Sequence, residues 1–316
     1  MNRDITIIFL NLVRPKLYLD GFSATGIRAI RASKEIGIKS VSAERSLNAY
    51  KILKENQIAN NVDIESYNEP FESVVSKYKF DFIDVDPYGS IVPFVDIAIQ
   101  NSPNRGYVAF TATDLSVLTG SLPSKTERRY ESVMSNNSMR HEMGVRNLLG
   151  FIARRAASLD KGIFPQISFW HGHYYRVIVQ VVNGAKRSEE TRKNLGRFSL
   201  SQIDPLMEGD LFGPMWIGSL NCNSIFRSNN FPESVGEESI EFFKKLEFED
   251  TSTFFLDVTE SFSRRKIDLI SMEDAIKIGE RNGLKSHRTH FSTTGIKCDD
   301  IKALLRLLLN EKHSGN

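Results

Sequence analysis

Short apolar runs alternate with longer segments of helical periodicity along the first half of the chain. Strands are predicted at 17–20, 39–43, 62–65, 80–85 and 106–113, and helices at 26–37, 47–56, 91–101 and 140–158. Strands that alternate with helices in this way favour a parallel sheet covered by helices. Two adjacent runs at 164–170 and 174–182, separated by His171-Gly172-His173, predict an antiparallel hairpin that closes the sheet.

The pattern changes beyond this hairpin. A charged stretch at 186–193 is typical of a solvated connector, and the segment 213–218 is predicted to return and pack on the first domain. Further helices are predicted at 237–246, 271–282 and 299–309, with Ser271 and Asp274 as a capping pair at the start of the second. We therefore expect two domains, 1–222 and 223–316.

A glycine-containing turn, 20–26, follows the first predicted strand, and Glu44 ends the second strand. Glycine lets a ligand approach the backbone closely, and an acidic residue at the end of the second strand can hold two ribose hydroxyls. The sequence contains neither the G-x-G-x-x-G fingerprint nor a P-loop, so an adenosine without a pyrophosphate fits better. S-adenosylmethionine is the common ligand of that kind. The alternative is a glycine turn in an ordinary α/β domain.

The tetrapeptide Asp86-Pro87-Tyr88-Gly89 follows the apolar strand 80–85. Ligands of open α/β sheets bind at the carboxyl ends of strands. There, the Asp86 side chain and a backbone carbonyl of Asp86 or Pro87 can accept hydrogen bonds from an exocyclic amine, while Tyr88 stacks on its ring. This chemistry suits methyl transfer to a planar amine nitrogen. The alternative is a Pro-Gly turn that merely closes the strand.

Composition excludes several classes of protein. The 316 residues are 41% hydrophobic and 25% charged, as in soluble globular proteins. The net charge of +2 gives no general attraction to nucleic acid, so any RNA-binding surface must be local. The two cysteines, Cys222 and Cys298, are too few for a disulfide framework or a cysteine-rich zinc site. No segment resembles a signal peptide or reaches the roughly 18 apolar residues of a membrane helix, so we expect a cytoplasmic protein.

Two regions carry clustered basic residues. The first comprises Lys125, Arg128, Arg129, Arg140, Arg146, Arg154 and Arg155, and the second comprises Arg264, Arg265 and Lys266 followed by Arg281, Lys285, His287 and Arg288. Each cluster is either a solvated face or a phosphate-binding surface, and their presence on both sides of the predicted site favours the second interpretation.

Two pairs of titratable residues, His141 with Glu142 and His171 with His173 in the hairpin turn, invite an acid–base mechanism. We interpret His141, His171 and His173 instead as packing or hydrogen-bonding residues, because no partner at metal-ligand spacing accompanies them. Asp114 ends a strand beside the predicted site, and it either orients a substrate or caps a turn.

Several segments, taken together and in order, resemble the tRNA guanine-26 N2-dimethyltransferases, particularly their archaeal branch. They are 2–5, 23–28, 84–90, 111–114, 141–144, 288–291 and 294–297. The resemblance spans nearly the whole chain. It implies a class I, Rossmann-like α/β domain that uses S-adenosylmethionine, a smaller α+β C-terminal domain that binds tRNA, and dimethylation of the exocyclic N2 of guanosine 26. The chain is expected to be a monomer without a metal.

The resemblance also assigns roles to residues. It implies that the catalytic carboxylate is Asp86, that the base pocket contains Pro87, Tyr88 and Asp114, and that the cofactor is held by Arg3, Arg28, Glu44, Asn68 and Glu69. Independently of the resemblance, the second basic cluster predicts a tRNA contact at Arg264, Arg265 and Lys266. Four positions depart from the family pattern: Glu44 replaces Asp, Asn68 and Glu69 replace Asp and Ala, and Tyr88 replaces Phe.

Family members also carry a segment before the Asn-Arg-Asp motif, whereas this chain begins at Met1, immediately before it. Either the start has been assigned too late, or the base pocket is incomplete. Two other functions remain open: methylation of a different amine, such as a DNA adenine, another RNA base or a protein glutamine, and RNA binding by a vestigial methyltransferase fold.

Overall fold

A computed structural model describes residues 1–207, 209, 211–249 and 254–314. Helices in these residues are α1 Asn2–Val13, α2 Ile27–Ile36, α3 Leu47–Asn60, α4 Phe71–Val74, α5 Val95–Asn101, α6 Leu115–Leu118, α7 Pro123–Tyr130, α8 Arg140–Ala157, α9 Ala185–Arg192, α10 Glu237–Lys245, α11 Val258–Arg265, α12 Met272–Arg281 and α13 Ile301–Ser314. Strands are β1 Tyr18–Asp20, β2 Ser40–Ala43, β3 Glu65–Tyr67, β4 Phe82–Val85, β5 Gly106–Ala112, β6 Lys161–His171, β7 Tyr174–Asn183, β8 Leu195–Phe198, β9 Phe212–Trp216, β10 Leu256–Asp257, β11 Ser286–Arg288 and β12 Gly295–Cys298.

The main sheet has seven strands in the order β3-β2-β1-β4-β5-β7-β6. Strands β1 to β5 are parallel, and β7 runs antiparallel to β5 and to β6. This confirms the predicted α/β sheet with its closing hairpin. Because the strand order reverses between β1 and β4, a crevice forms at their carboxyl ends, where ligands of such sheets bind.

Alternate residues of the parallel strands pack on opposite faces of the sheet. Leu19, Ile83 and Val108 belong to one buried cluster, which includes residues of α5 and α8. Tyr18, Phe82 and Ala109 belong to another, which includes residues of α1, α2 and α10. The central strands are therefore buried on both faces, as expected for parallel strands covered by helices.

Several predicted elements are displaced or of another kind. The third strand lies at 65–67 rather than 62–65. The charged stretch 186–193 is not a solvated connector: it forms most of α9, where Thr191 Oγ1 accepts a 2.9 Å hydrogen bond from the Ile163 amide of β6. The return at 213–218 is confirmed, because Met215 and Trp216 are buried in β9.

The C-terminal residues form a three-stranded sheet, β10-β12-β11, with α11, α12 and α13. Ser271 Oγ accepts a hydrogen bond from the Asp274 amide, which confirms the predicted cap of α12. Earlier residues of the proposed second domain, Phe226 and Phe243, share a core with Ile5 and Phe9 of α1. The boundary at 222 stays a prediction.

Candidate active site

A cavity of about 570 Å³ opens at the carboxyl ends of β1, β2 and β4. Its wall includes the turn between β1 and α2, the end of β2, the start of α4 and the loop after β4. Its lining includes Arg3, Asp20, Gly21, Phe22, Ser23, Ala24, Arg28, Glu44, Arg45, Phe71, Glu72, Asp86, Pro87, Tyr88, Phe94 and Thr113.

The turn 20–26 brings backbone close to the cavity. The Gly21 amide donates to the Asp84 carbonyl at 3.0 Å, and a Cβ added at Gly21 would stand 2.5 Å from the Phe71 ring. Gly26 has a φ of +80°, a left-handed conformation that glycine adopts without strain, and it begins α2. The predicted glycine turn therefore has a steric reason at both of its glycines.

Glu44 joins β2 to this turn. One of its carboxylate oxygens accepts a 2.8 Å hydrogen bond from the Ala24 amide, and the other accepts a 2.7 Å bond from the Ser46 amide. A carboxylate has about four lone-pair sites, so both oxygens retain capacity for further donors. The side chain is fixed at the cavity wall with acceptors available for hydroxyl groups.

Two arginines neutralise the carboxylates below the cavity. Arg176 of β7 makes a fully buried bidentate pair with Asp84, at 2.7 and 2.6 Å. Arg28 of α2 pairs with Asp86, and its Nε lies 3.9 Å from Asp84. Burial alone would raise the pKa of Asp84, but the charges of Arg176 and Arg28 hold it below its usual value. Burial likewise opposes the charge of Arg28, but Asp84, Asp86 and Asp20 raise its pKa further.

Asp86 is thereby oriented by a buried cation. Its side chain is 21% exposed and lines the cavity, and Arg28 engages its Oδ2 atom. The following loop is fastened to the end of β5, because the Gly89 amide donates to Thr113 Oγ1 at 2.8 Å. Pro87 is buried, whereas the Tyr88 ring is fully exposed at the cavity. The loop thus presents an acceptor and an aromatic face side by side.

Asp20 carries the most perturbed carboxyl group of the cavity. Burial raises its pKa from 3.8 to about 7, an effect that Arg28 reduces and that Asp84 and Asp86 reinforce. The residue is 1% exposed, and its Oδ1 atom is buried with no hydrogen-bond partner. A buried carboxylate oxygen without a donor is costly, so this position favours a ligand that brings a cation or a donor. In the sequence Asp20 is recognisable only as a strand end, because its burial depends on the tertiary structure.

A second cavity of about 520 Å³ shares Arg3, Arg28 and Asp86 with the first. The start of α1 supplies the rest of its lining, at Met1, Asn2 and Asp4, together with Arg31. The two cavities therefore meet at the Asp86 carboxylate.

The remaining predicted site residues lie around this centre. Asp114 does not line either cavity; it accepts hydrogen bonds from Tyr130 Oη at 2.8 Å and Arg129 Nη1 at 3.4 Å. Asn68 donates to the carbonyls of Glu44 and Arg45, and Glu69 pairs with Lys77 at 2.6 Å. Neither Asn68 nor Glu69 lines the larger cavity, which the same segment reaches through Phe71 and Glu72.

The basic residues divide into buried and exposed groups. Arg146 is fully buried beside Glu142, and Arg154 donates to the carbonyls of Pro214 and Tyr130, so these two stabilise the fold and offer little to a phosphate. At the end of α11, Arg265 makes two 2.6 Å bonds to Asp204, Arg264 pairs with Glu260, and Lys266 is exposed.

The histidines of α8 and the hairpin lie apart from both cavities. His141 stacks on Trp170 with ring centroids 3.7 Å apart, and His171 packs against Tyr174 and Phe242. In the described part of the chain, no three His, Cys, Asp or Glu side chains form a group that could hold a metal, and no helix is long and apolar enough to cross a membrane.

Comparison with known proteins decides the family. A model of the N2,N2-dimethylguanosine tRNA methyltransferases matches residues 1–308. The chain belongs to this family. A tRNA (guanine(26)-N(2))-dimethyltransferase of Thermoplasma volcanium is 40% identical over 300 residues, which are 95% of this chain and 86% of the relative. One of Thermoplasma acidophilum is 38% identical over 317 residues, which are 99% and 90% of the two chains.

One solved structure has the same fold as this chain over almost the full length of both. It is Trm1 from Pyrococcus horikoshii in complex with S-adenosyl-L-methionine, with a TM-score of 0.88 and 29% sequence identity, and the match covers 97% of this chain and 92% of the other. The predicted class I methyltransferase fold is therefore confirmed.

Proposed function

We propose that this protein transfers methyl groups from S-adenosylmethionine to the exocyclic N2 of guanosine 26 in tRNA and forms N2,N2-dimethylguanosine. The observation that carries the proposal is the position of Asp86, where the two cavities meet, in a chain of this family. A cofactor in one cavity and a target base in the other would both reach this carboxylate.

The larger cavity fits the cofactor. The partnerless Oδ1 of Asp20 suits the cationic methionine end of S-adenosylmethionine, and Glu44 suits its ribose hydroxyls. Arg3 and Arg28 offer cations to its carboxylate. When bound, the cofactor supplies an electrophilic methyl group on a sulfonium. Asn68 and Glu69 stay proposed contacts, next to the segment that lines the cavity.

The chain's own residues position the nucleophile. The N2 lone pair of guanine is delocalised into the ring, so it attacks poorly unless the amine is held out of plane. A hydrogen bond from N2–H to Asp86 Oδ1, and another to a backbone carbonyl of Asp86 or Pro87, would favour that geometry. Asp86 would then take up the N2 proton that is lost as the methyl is transferred. Arg28 orients Asp86 through their ion pair. Tyr88 would stack on the base, which must leave its helical stack.

Asp114 is proposed to support the base pocket indirectly. Tyr130 Oη lies 3.1 Å from Ser90 Oγ and 2.8 Å from Asp114, so this tyrosine connects the loop after Tyr88 to the end of β5. The tRNA contact at the end of α11, the two-domain boundary, a monomeric state and a cytoplasmic location are parts of the same proposal.

The direct test is nucleoside analysis. Purified protein is incubated with S-adenosylmethionine and a tRNA transcript, and the product is digested and analysed by mass spectrometry. We expect mono- and then N2,N2-dimethylguanosine, and none with a transcript that carries adenosine at position 26. Methylation of another base, or of protein amides only, would overturn the assignment.

A further inference from the structure

A third large cleft lies at the same edge of the main sheet as the two cavities, the edge at which the parallel strands end. It lies beside β6, whereas the two cavities lie beside β1 and β4. It has a volume of about 890 Å³ and lies between α8, the end of β6, α10 and the segment from β11 to 293. We call it the aromatic cleft and define it by Arg140, His141, Trp170, Lys245, Phe248 and His287. Nothing in the proposed mechanism uses these residues.

The aromatic side chains form one stacked pair and one tilted pair. His141 lies parallel to Trp170, with ring centroids 3.7 Å apart and planes inclined by 12°. Phe248 lies 4.4 Å from His287 and is 45% exposed, although it is a large apolar side chain. Burial and the nearby Arg140 lower the pKa of His141 to about 4, so its ring is a neutral stacking partner at physiological pH. Phe248 is the exposed ring, and His141, Trp170 and His287 are half-buried beside it. Accessible aromatic rings bind unstacked nucleobases.

Cations surround these rings at the surface. Arg140 and Lys245 are exposed, as is Arg288, which pairs with Glu273. Two of the cleft's three acidic residues are buried: Glu249 and Asp257 are 1% and 7% exposed and accept hydrogen bonds from His290 and Thr294. The third, Glu280, is exposed. The accessible charge at the rim is therefore mainly positive, which suits a phosphate backbone.

The cleft is also close enough to the active site to act on the same substrate. Tyr175 of β7 pairs with Ala112 at the carboxyl end of β5, and Trp170 pairs with Tyr175, so Trp170 lies at the sheet edge that carries Asp86. Three strand intervals of about 4.8 Å separate β4 from β6, which corresponds to about 14 Å along that edge. A single RNA strand can cover this distance within a few nucleotides.

We infer that the aromatic cleft binds an unstacked nucleotide of the tRNA, a few positions from the target guanosine. The inference rests on the proposed function, because the tRNA is its substrate. Phe248 and the Trp170 pair supply stacking faces, and Arg140 and Lys245 contact the adjoining phosphates. The second bound nucleotide would hold the RNA strand in its opened form while the guanine occupies the Asp86 site.

The test compares tRNA binding and methylation by single variants. For Phe248→Ala we expect the Kd and KM for tRNA to rise about 5- to 100-fold, with kcat at saturating tRNA and affinity for S-adenosylmethionine unchanged. Phe248→Tyr should retain wild-type values, because it keeps the ring. Lys245→Ala should weaken binding and lower the slope of log affinity against log salt by about 1.

Matched controls exist at the opposite end of the same sheet. Phe164 is 37% exposed near the start of β6, and Lys186 is exposed on α9, so Phe164→Ala and Lys186→Ala should leave the tRNA affinity unchanged. Ultraviolet cross-linking of the wild-type complex should attach a tRNA nucleotide to a peptide that contains Trp170 or Phe248.

The outcomes separate the inference from the proposed function. If the wild-type protein methylates guanosine 26 while Phe248→Ala and Lys245→Ala bind tRNA normally, or if cross-links map only elsewhere, the aromatic cleft is not a nucleotide site and the function stands. If the wild-type protein neither binds nor methylates tRNA, both fail.

Discussion

At the scale of single residues, the site contains one buried cation, Arg28, beside three carboxylates that it contacts unequally. Arg28 contacts Asp86 directly and lies within 3.9 Å of Asp84, whereas Asp20 has no hydrogen-bond donor at Oδ1. Asp86 is thereby oriented by a cation, and Asp20 becomes a group whose charge depends on pH and ligand.

Replacing Asp86 by Ala should lower the methylation rate about 10²- to 10⁴-fold, because the substrate amine loses its acceptor. Arg28 keeps Asp84 as a partner, so the affinity for S-adenosylmethionine should change little. Single-turnover kinetics with tRNA and calorimetry with the cofactor measure the two effects. Asp63→Ala, at an exposed carboxylate, is the control. Near-normal turnover by the Asp86 variant would remove this residue from the mechanism.

Asp20 should make stability depend on pH. Its pKa is raised from 3.8 to about 7, so the folded protein holds the proton more tightly than the unfolded chain does. The resulting contribution to the free energy of unfolding is complete below pH 4 and is lost as the pH rises through 7. The free energy of unfolding of the wild type, relative to Asp20→Asn, should therefore fall by up to about 4 kcal/mol between pH 4 and pH 8.

Urea unfolding of both proteins at several pH values, without cofactor, measures this difference. The Asn variant should also bind S-adenosylmethionine more weakly, because it offers no negative charge. Parallel stability curves for the two proteins would show that Asp20 is ionised throughout and that its environment is more polar than its burial indicates.

At the scale of elements, one side chain connects four of them. Arg176 of β7 bonds Asp84 of β4, Thr111 of β5 at 2.7 Å and Thr6 of α1 at 2.9 Å, all in the interior. This network fixes α1, which supplies Arg3 and the smaller cavity, to the strands below Asp86. The positions of the site residues therefore depend on a buried ion pair outside the site.

Removal of that arginine should destabilise the fold strongly. Arg176→Met leaves Asp84 buried without its main partner, and we expect the free energy of unfolding to fall by about 3–5 kcal/mol. Equilibrium denaturation measures it, with Arg192→Met as a control at a guanidinium that is 63% exposed. A loss below about 1 kcal/mol would mean that Asp84 finds another donor or takes up a proton.

At the scale of the whole molecule, a buried ion network joins the C-terminal sheet to the methyltransferase sheet. Lys297 of β12 lies 2.9 Å from Glu142 of α8 and 3.6 Å from Glu249, and His290 contacts both Glu249 and the Trp170 amide. Burial opposes the charge of Glu249, but His290 and Lys297 lower its pKa to about 2. The C-terminal residues are thus held in a fixed position beside the edge of the sheet that carries Asp86. The proposed tRNA-binding surface belongs to these residues.

The proposed tRNA contact at the end of α11 can be tested without destabilising the fold. Arg265 must be kept, because its removal would leave Asp204, which is fully buried, without its cation. Neutralising Arg264 and Lys266 to Gln should weaken binding of different tRNAs to a similar extent and reduce the salt slope by up to about 2. Salt titrations of variant and wild type that superimpose would exclude a phosphate contact at this patch.

Local sequence determined the strand ends and turns of the site. The glycines at 21 and 26, the acidic end of β2 and the Asp-Pro-Tyr-Gly loop carry their signals within a few residues, so their elements were predicted within a few positions. The prediction of a solvated connector at 186–193 was wrong, because a helix rich in charged residues has the composition of a connector. Its packing depends on Ser188 and Thr191, which are buried against neighbouring elements.

Only the tertiary structure decided which charges neutralise each other. Arg28, Arg146 and Arg176 are indistinguishable from surface arginines in sequence, and Asp20 looks like any strand end, yet all four are buried. Pairs such as Arg176 with Asp84 are 92 residues apart in the chain. Backbone conformation follows from short-range sterics and periodicity, whereas the state of a charge depends on desolvation and on partners that come together only when the sheet and its covering helices pack.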